Sequence, residues 1–156
     1  MSLIAYNNPA TDATPRRLAN NGFWDDIDPA DFRDVERADS TITAARVRHA
    51  LQVAMADINR QLAAWQAARQ GEGAATVYDV TPPGWQLPDA YPLLYRRAVY
   101  ATAMATLLER YRDHSATGQG DERGEAKDVA ADDYRADARW AVAEIEGRTH
   151  STVELI

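Results

Sequence analysis

Residues 47–65 read VRHALQVAMADINRQLAAW, and the spacing of their apolar side chains decides the fold class. These side chains recur three or four positions apart, at Val47, Leu51, Ala54, Met55, Ile58, Leu62 and Trp65. A repeat close to 3.6 residues is typical of an α-helix that buries one face. We therefore predict a single long helix that is capped by Thr41 or Thr43 and ended by Gly71.

Two more long helices are predicted in the second half of the chain. One begins at Asp89, with Pro92 in its first turn, and runs to about His114. Its apolar face comprises Leu94, Ala98, Ala101, Ala105 and Leu108, widened by Leu107 and Tyr111. The other helix ends at Gly147, and its apolar face comprises Val129 or Ala130, Tyr134, Ala138, Ala141 and Ile145. We expect a polar loop, SATGQGDERGE at residues 115–125, to separate the two.

A short fourth helix is predicted within DIDPADFRDVERAD, residues 26–39. Asp28 fits the N-cap, and Pro29 fits the first helical position, where the missing N–H costs nothing. We expect Phe32 and Val35 to lie on one face of this helix, beside Phe23 and Trp24, and to form a small apolar cluster with them. The predicted fold class is all-α, an up-and-down bundle of three long helices and one short helix.

The connection between the first two long helices is long for a helical bundle. TVYDV, residues 76–80, alternates in the manner of a short strand, and TPPGWQLP, residues 81–88, forces a turn. We expect this connection to wrap over one face of the core. The resulting division is an extended or disordered N-terminal arm at residues 1–21, a helical domain at 22–147 and an extended C-terminal tail at 148–156.

The composition narrows the function classes. The formal net charge of −7 would repel a polyanion, which disfavours ordinary DNA or RNA binding. DSTITAARVRHALQVA, residues 39–54, superficially resembles a helix-turn-helix, but its second helix continues far beyond recognition length. Cysteine is absent, and neither a signal peptide nor an apolar run long enough to span a membrane is present, so we expect the chain to be made in a cytoplasm.

Motifs for catalysis or cofactor binding are missing from the sequence. His49, His114 and His150 are far apart, and none belongs to an HExxH or ExxH pair. DDIDPADF has a proline where a calcium-binding loop needs its sharp turn. No phosphate-binding glycine loop and no Gly-x-Ser-x-Gly elbow occurs. We predict no catalytic residues, no metal site and no cofactor.

The four tryptophans are the best candidates for interaction residues. Trp65 and Trp140 fall on or beside apolar helix faces and are expected in the core. Trp24 and Trp85 lie in connecting segments, where a large aromatic ring either seals a loop or anchors a partner. The sequence leaves both alternatives open for Trp24 and Trp85.

Three blocks of sequence together resemble one known family. They are GFWDDIDPADFRDVERADSTITAARVRHAL, YRRAVYATAMATLLERYRDHSATGQGD and DYRADARWAVAEIEGRTHSTVELI. Their order and spacing are similar to those of the head completion (head stabilisation) proteins, the gpL family, of contractile-tailed temperate phages. The resemblance covers roughly residues 20–156 and carries no catalytic positions.

The resemblance implies a structural protein that joins the portal vertex after DNA packaging, stabilises the filled capsid and forms part of the head-tail connector. The implied partners are the portal protein, neighbouring copies in a twelve-fold ring and a downstream neck or tail-completion protein. Packaged DNA would pass through without sequence-specific binding, and no membrane is involved. The implied location is the neck of the virion.

The tail THSTVELI, residues 149–156, is β-branched and apolar, unlike the helices before it. We expect it to pair outside its own bundle, on the portal or an adjacent subunit, through Thr152, Val153, Glu154, Leu155 and Ile156. The alternative is that it folds back against residues 76–80. Two other functions stay open at this point: an antitoxin-like cytoplasmic adaptor, and an enzyme with an unrecognised pair of carboxylates.

Overall fold

The computed structural model describes residues 17–112 and 121–149, with side chains described for 17–110 and 129–149. Five α-helices form this part of the chain, and the only extended pairing described in it is one isolated bridge. The helices are α1 (Pro29–Glu36), α2 (Ala44–Gln61), α3 (Ala63–Gly71), α4 (Ala90–Arg112) and α5 (Asp121–Ile145). The all-α class is confirmed, but the described residues form five helices where the sequence predicted four.

The fifth helix arises because the predicted long helix is interrupted at Leu62. The backbone there has φ −91° and ψ 3°, and the Leu62 N–H is shared between the carbonyls of Ile58 and Arg60. The side chain of Leu62 is nevertheless fully buried. The apolar stripe runs through the interruption unchanged, which is why the periodicity of the sequence gives no sign of it.

Helix α1 has the predicted N-terminus. The Asp28 carboxylate accepts a 2.8 Å hydrogen bond from the Ala30 N–H, and Pro29 opens the helix. Phe32 is buried, but Val35 is exposed, so the prediction for Val35 is wrong. Residues three apart on a helix are offset by about 60°, and a helix of two turns packs on only a narrow face.

The core lies around α4, which contacts α1, α2 and α5. Helix α4 is buried on most of its circumference between Ala98 and Ala105, where small side chains allow its neighbours to approach closely. Helix α5 packs along α4 through Ala141, Val142 and Ile145. The described helices provide no span long and apolar enough to cross a membrane.

The predicted strand at residues 76–80 is wrong, because Val77–Asp79 form a turn of 3₁₀-helix. The Asp79 carboxylate accepts hydrogen bonds from the N–H groups of Ala75 and Thr76, at 2.9 and 2.8 Å. These bonds close the backbone into a turn. Val77 is buried, and its N–H donates to the Phe23 carbonyl at 3.0 Å, so the run presents no strand edge.

Two predictions about α5 also need correction. Residues 121–125 belong to the helix instead of the predicted loop, while 113–120 lie outside the described residues. Trp140, expected in the core, is 48% exposed. The predicted end of the helix is confirmed: Gly147 has φ +69°, and the Arg148 N–H bonds to the Ala143 carbonyl at 2.8 Å.

Candidate partner-binding surface

Residues 18–21, predicted to belong to an extended or disordered arm, are packed against the helices. Leu18 and Ile27 exchange two backbone hydrogen bonds of 2.7 and 3.0 Å, and both side chains are buried. This antiparallel bridge closes a loop whose side chains reach α2 and α4. The described end of the N-terminal segment is thus part of the domain.

Asn20 fixes this loop through a closed cycle of three side-chain hydrogen bonds. The side-chain amide nitrogen of Asn20 donates to the Tyr95 hydroxyl at 2.8 Å, and this hydroxyl donates to the side-chain oxygen of Asn59 at 2.7 Å. The side-chain nitrogen of Asn59 donates back to the side-chain oxygen of Asn20 at 2.9 Å. Burial raises the pKa of Tyr95 to about 12, so the hydroxyl remains a donor. The cycle joins the N-terminal segment, α2 and α4.

Trp24 lies in the core and does not offer its ring to a partner. Its ring stacks on Tyr95 with centroids 4.4 Å apart and on Trp65 with centroids 5.6 Å apart, and the side chain is 3% exposed. Of the two alternatives for Trp24, sealing the loop is the one that the structure supports. The predicted partner-binding role of Trp24 is therefore corrected.

An open acidic cleft of about 720 Å³ lies beside this loop, between α1 and the start of α4. Five aspartates and two arginines line it, for a formal charge of −3. The charged residues are Arg17, Asp25, Asp26, Asp28, Asp31, Asp89 and Arg96. The motif DDIDPAD supplies most of the negative charge.

The acids of the cleft are used to hold local structure. Tyr100 donates to Asp31 at 2.6 Å, and Tyr78 donates to Asp25 at 2.5 Å, a bond that raises the pKa of Tyr78 to about 12. None of the described carboxylates is buried, and the described residues contain no group of three metal-binding side chains. The sequence left open an enzyme with an unrecognised pair of carboxylates. No buried pair of acids occurs within the described part of the chain.

Besides an ion pair of Glu109 with Arg135, two polar links join α4 and the residues before it to α5. Arg97 pairs with Asp137 at 2.8 Å, and the Gln86 amide, just before α4, donates to the Glu144 carboxylate on the last turns of α5. Residue numbers fall along one helix as they rise along the other, so the pair is antiparallel. The Gln86 hydrogen bond also joins the connecting segment that precedes α4 to helix α5.

Four exposed apolar residues belong to the chain segments that these links join, near one end of the α4–α5 pair, and we term them the seam patch: Trp85, Leu87, Leu93 and Trp140. Leu93 precedes Arg97 by one turn, and Trp140 follows Asp137 by one turn, so both lie on the side of this ion pair that is nearer the end of α5. Leu93 also lines the acidic cleft. Trp85 and Leu87 flank the glutamine of the second link. Trp85 is 76% exposed and Leu87 is 64% exposed.

The seam patch contains one of the seven residues predicted to bind a partner, Trp85. Five others, Thr152, Val153, Glu154, Leu155 and Ile156, lie outside the described residues. Leu87, Leu93 and Trp140 were not predicted from the sequence to bind a partner. A signal for Trp140 existed, because a residue two positions after Ala138 lies about 200° around the helix from the buried stripe.

Comparison with known proteins agrees with the resemblance seen in the sequence. The profile of the phage head completion protein (GPL) family matches residues 18–156. The head completion/stabilization protein of Escherichia phage P2 is 34% identical over 139 residues, which cover 89% of this chain and 82% of that protein. The probable head completion/stabilization protein of Haemophilus phage HP1 is 25% identical over 153 residues, covering 97% and 99%. No solved structure is significantly similar. The chain therefore belongs to the phage head completion protein family.

Proposed function

We propose that this protein joins the portal vertex after DNA has been packaged, stabilises the filled head and forms part of the head-tail connector. Its membership of the head completion family carries the proposal, because the match spans the whole helical domain. The names of the two relatives support the general role in head completion and stabilisation. No observation favours the antitoxin-like adaptor.

The proposed partners are the portal protein, neighbouring copies in a twelve-fold ring and a downstream neck or tail-completion protein. A ring of one chain needs two different contact surfaces on each copy that meet after a fixed rotation. Two such features occur at one end of this molecule. They are the seam patch and the segment that follows Thr149. We place the partner-binding function at this end of the helical domain, with residues 148–156 acting as an extended tail.

The acidity of the chain suits a channel for DNA. With a net charge of −7, a ring lined by part of the acidic surplus would repel phosphates and let the duplex pass without sticking. The acidic cleft contributes a formal −3 to this surplus. The proposed location is the neck of the virion, after synthesis in the cytoplasm of the bacterial host.

Electron microscopy of the cognate portal, alone and mixed with the purified protein, tests the proposal. We expect an added layer on the face of the portal that receives the tail, with the rotational symmetry of the ring. A portal mixture with an unrelated acidic helical protein controls for nonspecific adhesion. Bare portals in the presence of excess protein would contradict the proposal.

A further inference from the structure

We propose that the seam patch is the docking site for residues 150–156 of a neighbouring copy of this chain. The proposal rests on the ring assembly proposed above and assigns a receptor surface to the C-terminal tail. It thereby gives the ring its two unlike contact surfaces, a donated segment and a fixed patch.

The patch has the composition of an interaction site. Leu93 and Trp140 are 41% and 48% exposed, and Trp85 and Leu87 are still more exposed. Exposed apolar side chains that gather on one surface mark binding sites on soluble proteins, and tryptophan is enriched among the residues that contribute most to binding. Trp85 and Leu87, two positions apart and the most exposed of the four, are the main candidates for such contacts. The polar links on either side of the patch fix the backbone that carries these side chains.

The position at which the described part of the chain ends indicates which segment binds the seam patch. Helix α5 stops at Ile145, Gly147 turns the backbone, and Thr149 leaves from the same end of the α4–α5 pair as the patch. Seven further residues reach about 25 Å when extended. In an extended segment, Val153 and Leu155 lie on one face, where both can contact a patch of apolar side chains.

The other receptor considered from the sequence, a strand at residues 76–80, does not exist in the structure. The N–H groups of Val77, Asp79 and Val80 already donate to the carbonyls of Phe23, Thr76 and Val77, respectively. An extended tail would therefore find no edge to pair with there.

Assembly into a ring favours binding of the tail to the patch of a neighbouring copy over binding to its own patch. If each tail covered its own patch, both features would be consumed within one subunit, and neither could contribute to the contact between subunits. The domain does not need its own tail for a core, since Ala141, Val142 and Ile145 at the end of α5 are already buried. The tail and the patch are thus both available for exchange.

Peptide binding tests the patch. A synthetic peptide, THSTVELI, is titrated by calorimetry into protein truncated after Thr149. We expect saturable binding that Trp85→Ala weakens about thirtyfold, the change that corresponds to about 2 kcal/mol for an interface tryptophan. Val35→Ala, which shortens an exposed side chain on α1, is the matched control and should leave the affinity unchanged. Absence of peptide binding, or equal binding to the Trp85→Ala variant, would overturn the assignment of the patch.

Sedimentation of the unaltered protein identifies the copy that donates the tail. Each unaltered copy has both a tail and a patch, so we expect association that increases with concentration and that is lost both on truncation after Thr149 and in the Trp85→Ala, Leu87→Ala variant. If the truncated protein binds the peptide but the unaltered protein stays monomeric well above the Kd of the peptide, each tail occupies its own patch and the proposal is overturned. Portal binding by the unaltered protein, measured in parallel, separates this failure from failure of the proposed function.

Discussion

The indole ring of Trp24 lies almost parallel to the phenol ring of Tyr95, with centroids 4.4 Å apart and planes inclined by 8°. Trp65 stacks on the same indole, and Phe23 meets it edge-on with centroids 5.1 Å apart. This aromatic cluster joins the loop before α1 to α3 and α4. Phe23 and Trp24, at the start of the stretch FWDDIDP, are thus core-packing residues in this chain.

Replacement of Trp24 by alanine should destabilise the fold strongly. Truncation of a buried aromatic side chain typically costs about 3–5 kcal/mol in the free energy of unfolding, because packing is lost and a cavity remains. Trp85→Ala is the matched control, since an exposed side chain should change the value by less than about 0.5 kcal/mol. Urea denaturation followed by circular dichroism measures both. Similar losses for the two variants would mean that Trp24 is not a core residue.

The cycle formed by Asn20, Asn59 and Tyr95 should act as a unit. Tyr95→Phe removes the hydroxyl, so the Asn20 amide loses one acceptor and the side-chain oxygen of Asn59 loses its donor, at a cost of about 1–3 kcal/mol in unfolding free energy. A double-mutant cycle with Asn59→Ala should give a coupling energy of at least about 0.5 kcal/mol. Strict additivity of the two substitutions would contradict the closed cycle. Tyr78→Phe, on an exposed tyrosine that donates to Asp25, should cost less than Tyr95→Phe.

Glu36 should make stability depend on pH in a specific direction. Burial raises the pKa of this carboxyl, the hydrogen bond with Tyr134 opposes the shift, and repulsion by Asp137 adds to it. The folded state therefore binds the carboxyl proton of Glu36 more firmly than the unfolded state does. The contribution of Glu36 to the free energy of unfolding falls as the pH rises from its unfolded-state pKa through its folded-state pKa. We expect Glu36→Gln to be more stable than the unaltered protein at pH 7, with the advantage vanishing in acid.

A matched control for Glu36 lies on the same helix. Asp34→Asn removes the same charge from an exposed position of α1 and should not reproduce the pH-dependent gain. Thermal melts of the three proteins between pH 3 and pH 8 provide the comparison. A gain for Glu36→Gln that persists undiminished at the acid end would show that its cause is not the titration of this carboxyl.

The protein should not bind duplex DNA at physiological salt. A net charge of −7 opposes contact with phosphates, and the acidic cleft between α1 and α4 carries a formal −3 of it. Fluorescence anisotropy with a labelled duplex checks this at two salt concentrations. Saturable binding that weakens with salt would contradict the idea that the acidic surplus keeps the channel free of adhesion.

The parts of the fold that periodicity could reveal were predictable, and the parts set by single side chains were not. The stripe from Val47 to Trp65 predicted helix correctly, and Asp28 marked the start of α1. The turn at residues 77–79 depends on where the Asp79 carboxylate points, which alternation of apolar residues does not encode. Packing of Leu18 depends on a partner nine residues away, so no local pattern announces it.

The candidate surface was predictable only in part, for a related reason. Trp85 stood out because a tryptophan beside two prolines and a glycine cannot belong to a helix face. Trp140 was misplaced because its neighbours Ala138 and Ala141 mark a buried stripe, and large aromatics are usually assigned to such a stripe. Its exposure follows from its angular position, and its grouping with Trp85 follows from the link between Gln86 and Glu144, a tertiary contact.

The central claim is that a self-sufficient helical domain uses one exposed end, with the tail that follows it, to bind other proteins of the phage head. Removal of residues 149–156 tests it most directly, with the melting temperature and assembly on the portal measured on the same preparation. We predict an unchanged melting temperature together with loss of the ring layer in electron micrographs of the portal. A large drop in melting temperature, or a complete ring built from the truncated protein, would contradict the account.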